Sequence, residues 1–154
     1  MSDKNNNPFN VKQWNPPWKG STGRDARGHA NFSNVAYSVR ATVRTLAQKA
    51  ANGKTSLMAI FFDYAPIDDG NDPAGYAEFV AGRMGISASE KLYIFGASGQ
   101  IARRGDLKAM LRAMAEMEVH AGYQLDSDEL ELGLFLYERD FGKKPKSLGE
   151  MEQR

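Results

Sequence analysis

The stretch DLKAMLRAMAEMEVHAG, Asp106–Gly122, reads as an amphipathic helix with one misfit. At about 100° per residue, Leu107, Met110, Leu111, Met114 and Glu118 share one stripe about 100° wide. Asp106 is placed to cap the start, and Gly122 stands where a left-handed residue ends a helix. Glu116 and His120 fall on the opposite, solvated face. A carboxylate on an apolar stripe needs a partner or a purpose, because burying an unpaired charge costs several kcal/mol. Either Glu118 reaches an arginine or a backbone amide of another segment, or it enters a cleft as a general acid. In the second case apolar walls raise its pKa toward neutrality, the tuning that a glycosidase acid requires.

Outward from that helix, a chain of 154 residues with 42% hydrophobic side chains is enough for one domain with a substantial core. Acids and bases nearly cancel, at a net charge of +1, and no basic run interleaves with aromatics, so a nucleic-acid surface is not expected. Cysteine is absent, which excludes disulfides, thiolate metal sites and cysteine nucleophiles. The opening MSDKNNNPFN lacks the apolar centre of a secretory signal, and the apolar runs are too short to span a bilayer.

Four further helices and a small N-terminal layer are expected. Residues 1–34 are rich in Asn, Pro, Gly and Trp, which disfavours helix. Extended pieces at Phe9–Trp14 and His29–Phe32, joined by GSTGRDARG, suit a hairpin-like layer. There, Trp14 and Trp18 either anchor a loop or offer flat faces to sugar rings. A first helix runs from about Asn34 to Ala51, with Val39, Val43, Leu46, Ala47 and Ala50 inward and its arginines solvated. Thr55 or Ser56 opens LMAIFFDYA, apolar nearly all round and so central, with Asp63 in its last turn and Pro66 halting it. The acidic IDDGND fails the spacing of a calcium loop, and Asp72-Pro73 reads instead as cap and first residue of a third helix closed by Gly85. KLYIF is a short strand or an extended crossing. Ser127 or Asp128 caps the last helix, with Leu130, Leu134 and Tyr137 inward. The tail 143–154 is charged; residues 1–142 form the domain.

Taken in order, NNNPFNVKQW (Asn5–Trp14), WKG (18–20), Asn31-Phe32, YAP (64–66), NDPAGY (71–76) and the late Glu-bearing helix form a set. It resembles a family of phage virion proteins with an NNPGNIR-like opening, a W-x-G, an F-x-x-F strand, a WAP…ND…Y block and a HENG-like helix end. The order holds from Asn5 to about Gly133. Phe9 stands where that family has glycine, Val11-Lys12 replaces Ile-Arg, and Tyr64 replaces tryptophan. Glu118–Gly122 is a lengthened Glu-Asn-Gly corner.

The resemblance implies a mainly α, lysozyme-like domain whose catalytic helix has moved from front to back, a circular permutation. It implies a virion protein that degrades peptidoglycan in the host periplasm, or a structural virion protein that keeps the fold for assembly or peptidoglycan binding. Its partners would be bacterial peptidoglycan and other virion proteins. Glu118 would be the proton donor of a muramidase or lytic transglycosylase, with Asp63, or the Asp68/Asp69 pair, as second carboxylate. Asn7, Trp14, Trp18, Tyr64 and Tyr76 would contact sugar, and no metal or organic cofactor is implied.

Overall fold

Asn34, Ser56 and Asp72 each turn a side-chain oxygen onto a backbone amide three residues on, and three helices start there. The structure, a computed structural model, describes residues 5–67 and 70–142. Among them are β1 (Ser21–Arg24), β2 (Ala30–Phe32), α1 (Val35–Ala51), α2 (Leu57–Tyr64), α3 (Pro73–Met84), α4 (Arg104–Glu118) and α5 (Ser127–Asp140). The chain is mainly helical with a small N-terminal β layer, as its sequence leads one to expect. Asp68, Asp69 and the tail 143–154 lie outside the described residues, and no helix within them is long and apolar enough to cross a membrane.

α1 packs most extensively on α5, α2 on α3, and α3 on α4. Gly133 permits the first of these contacts, since a Cβ there would come within 2.3 Å of Val39 Cβ and 2.7 Å of the Ala36 carbonyl. The core joins Val39, Val43 and Leu46 of α1 to Leu57 and Phe61, Val80, Leu107, Met110, Leu111 and Met114, and Leu130, Leu134 and Tyr137. Phe9, fully buried, enters the same core from the N-terminal segment. A smaller cluster of Val11, Ala30, Phe32 and Ala41 seals the β layer onto α1.

Several local readings need correction. The helix read as Asp106–Gly122 runs from Arg104 to Glu118: Asp106 lies in its first turn, and Gly122, at φ +82°, belongs to the turn beyond. Glu118 is therefore the last helical residue. α5 is capped one residue earlier than expected, by Asp126, whose carboxylate accepts from the Glu129 amide. α2 is not buried all round, because Phe62 is 46% exposed and Asp63 is open to solvent. Arg40 is not solvated: it is 7% exposed, its Nε sits 2.8 Å from Asp140 Oδ2, and its guanidinium lies over the Phe141 ring. The hairpin pairs Ser21 with Phe32 and Arg24 with Ala30 through a bulge, so its first strand comes from the segment read as a linker. Residues 9–14 contribute only the bridge between Lys12 and His29. KLYIF is an extended crossing, tied to α2's approach by the Leu92 amide donating to the Thr55 carbonyl.

Candidate active site

Four segments distant in sequence converge on Glu118. α4 delivers it on the face carrying Leu107, Met110, Leu111 and Met114, all buried as the periodicity predicts. The neighbouring α3 brings Tyr76, whose hydroxyl donates to Glu118 Oε2 at 2.9 Å. The N-terminal segment brings Asn10, whose Nδ2 donates to Oε1 at 2.7 Å. α2 ends at Tyr64, whose hydroxyl donates to the Phe9 carbonyl at 2.6 Å and so ties that segment down beside the carboxylate.

Aromatic packing fixes this geometry. Tyr76 stacks on Phe61 at 4.2 Å between centroids, and Tyr64 sits edge-on to both rings. Burial pushes both phenols well above their ordinary pKa, and the Glu118 charge pushes the same way, so both remain hydrogen-bond donors. Asn10 holds φ +52°, a left-handed conformation that asparagine tolerates better than most residues. Asn7 clamps the turn before it. Its Nδ2 donates to the Val11 and Ala30 carbonyls at 2.9 and 2.8 Å, and its Oδ1 accepts from the Val11 amide.

The Glu118 carboxyl is raised above the ordinary glutamate value by burial, against the opposing pull of the Asn10 and Tyr76 hydrogen bonds. No cation among the described residues contributes to that balance. Its place at the C-terminal end of α4, where the backbone carbonyls point, also disfavours a negative charge. Neither an arginine nor a backbone amide neutralises it. Two neutral donors hold it, and one side of it opens to a groove of about 610 Å3.

The N-terminal layer lines that groove with Asn10, Lys12, Trp14, Arg27 and His29, and α1 and the end of α2 with Lys49, Asp63 and Tyr64. Asp63 carries the opposite tuning to Glu118. Lys49 Nζ hydrogen-bonds its Oδ2 at 2.6 Å and holds the carboxyl below the usual aspartate range, outweighing a small effect of burial. One groove thus holds a carboxyl pushed toward the neutral form and another kept ionised, a pairing that separates acid from anion.

Of the residues singled out from sequence, Glu118, Asp63, Trp14 and Tyr64 share the groove. Trp14 presents its ring to solvent at 61% exposure. Three others do not line it. Asn7 is wholly buried with its amide saturated by backbone, so it shapes the turn rather than touching a ligand. Tyr76 is buried behind Glu118 and acts through it. Trp18 packs on the small β cluster and donates its indole N–H to the Lys12 carbonyl. Asn10 and Lys49 escaped notice, because an irregular segment has no period and Lys49 meets Asp63 only through the packing of α1 on α2. Asp72 is the α3 cap, and among the described residues no cluster of acids and histidines could hold a metal ion. No protein-family model matches this chain, and no curated protein matches it.

Proposed function

We propose that this chain is a virion-associated glycosidase acting on peptidoglycan, built as a lysozyme-like helical domain in permuted order, with Glu118 as its proton donor. The observation that carries the reading is Glu118 itself: a carboxyl raised by burial, aimed by Asn10 and Tyr76, and open to a groove lined by an exposed tryptophan and an ionised aspartate.

The chemistry follows from those groups. A sugar strand stacks on Trp14 and Tyr64, bringing a glycosidic oxygen to Glu118. Glu118 protonates that oxygen as the C–O bond breaks and positive charge builds on the ring. Asp63 faces the same groove as a fixed negative charge that favours this cation. Tied to Lys49, it is a poor base for activating water. That favours the route in which the substrate's own hydroxyl closes onto the anomeric carbon, its proton passing to the Glu118 carboxylate left by the first step. A carboxyl with a raised pKa suits both roles. Action on the cell wall from a phage particle follows from the ordered motifs rather than from the groove.

Purified protein incubated with Gram-negative sacculi, with released muropeptides read by mass, tests this. Anhydro ends are expected, and reducing ends would indicate hydrolysis. No release, or undiminished release by Glu118→Gln, would overturn the reading and leave a structural virion protein.

A further inference from the structure

The groove carries cations that sugar hydroxyls do not call for. Lys49 is taken up by Asp63, but Arg27, at the tip between β1 and β2, lines the same space with an exposed guanidinium. Among the described residues no carboxylate pairs with that side chain. Its turn is built to hold the backbone beneath it in place. Asp25 Oδ1 accepts the Arg27 and His29 amides at 2.9 Å each, and Asp25 Oδ2 meets His29 Nδ1 at 3.3 Å. The Asp25 amide closes the loop on the His29 carbonyl, and Gly28 takes φ +89° to make the bend. The backbone beneath Arg27 is thus a fixed hairpin, so only the arginine side chain is left to order when an anion arrives.

Resting on the glycan-cleaving reading of this groove, we propose that Arg27 is a carboxylate-reading group that selects glycan strands bearing acidic peptide stems over strands whose stem carboxylates are masked. Arginine's planar fork matches a carboxylate, and peptide stems place such groups beside the sugar backbone at intervals. A nucleic acid fits less well. Its continuous phosphates call for a basic surface, whereas the whole chain carries a net charge of only +1.

The full chain carrying Glu118→Gln, which leaves substrate uncut, is titrated against intact sacculi and against the same sacculi whose stem carboxylates have been converted to amides with carbodiimide and ethanolamine. Intact material is expected to bind more tightly, and Arg27→Gln to weaken that binding about fivefold without changing binding to the amidated sacculi. Added salt acts like the substitution. Arg24→Gln, on the same hairpin but off the groove, binds like its parent. Should Glu118→Gln melt early, KM of the active chain on the two substrates replaces the titration. Equal binding of both glycans, indifference to Arg27→Gln, or Arg27-dependent displacement by a single-stranded oligonucleotide overturns the proposal. Cleavage with no Arg27 dependence removes only this inference; Arg27-dependent binding without cleavage removes only the enzymatic reading.

Discussion

Asn10 Nδ2 lies 2.7 Å from Glu118 Oε1, joining residues 108 positions apart in sequence. The raised acid, its two neutral donors and the groove all meet at that contact. Its energetic sense follows from the donors. Both bonds favour the ionised carboxylate, so they restrain a pKa that burial alone would push further.

Replacing Glu118 by Gln separates activity from stability. Under the proposed glycosidase reading, activity on peptidoglycan should fall roughly 10²–10⁴-fold, the usual worth of a general acid. Stability should move the other way. A folded pKa above the unfolded one contributes stability that is complete below the unfolded value and lost as pH rises through the folded value. The variant should therefore match or exceed wild type in Tm near neutrality and lose that advantage below about pH 4. Gln fits the site because Tyr76 can turn its hydroxyl to accept from the new amide. Thermal melts across pH, beside muropeptide release, check both halves.

The two donors to Glu118 can be removed one at a time. Tyr76→Phe keeps the stack on Phe61 and loses only the hydroxyl. Asn10→Gly keeps the left-handed backbone and loses only the amide. Each should raise the Glu118 pKa further, moving the alkaline limb of the kcat/KM profile to higher pH. A limb that stays in place, or shifts downward, would separate Glu118 from the rate-limiting proton.

Arg40 and Asp140 tie α1 to α5 with most of both side chains out of water. Asp140 is held far below the usual aspartate range, by Arg139 first and then by Arg40, with burial opposing both. Because the folded pKa is depressed, this stability exists above the unfolded value and is lost as pH falls below about 4. Arg40→Met should cost roughly 2 kcal/mol at neutral pH, less than an isolated buried pair because Arg139 and Lys19 remain near Asp140. A Tm drop of about 4–8 °C, shrinking in acid, is the expected readout.

Two helical glycines should respond to alanine with opposite signs. Gly133→Ala drives a methyl into Val39 and the Ala36 carbonyl, costing about 1–3 kcal/mol by overpacking. Gly82 meets nothing within 4 Å, so Gly82→Ala should gain about 0.5–1 kcal/mol from helix propensity. Denaturant midpoints for the pair test whether α1 and α5 cross at Gly133.

The helices were legible because their apolar residues repeat every three or four positions, and Asn34, Ser56 and Asp72 are strong caps. Glu118 was legible as an anomaly against that period. What it bonds to was not, since Asn10 sits in a segment with no period and Tyr76, expected to contact sugar, donates instead to the carboxylate. Asn7 was misjudged for a related reason: an asparagine among irregular backbone clamps carbonyls as readily as it meets a ligand. Arg40 looked solvated because its partner lies 100 residues away, and no spacing rule reaches so far. The hairpin's first strand, STGR, has a glycine and no apolar alternation to mark it.

Phe9 carries a last consequence. Fully buried in the main core, with its carbonyl held by Tyr64, it immediately precedes the residue that grips Glu118. Lifting the groove's floor means withdrawing that ring from the interior. Amide exchange around Asn10 and Val11 should accordingly slow to the rate set by cooperative opening of the whole domain, although the segment has no regular secondary structure of its own.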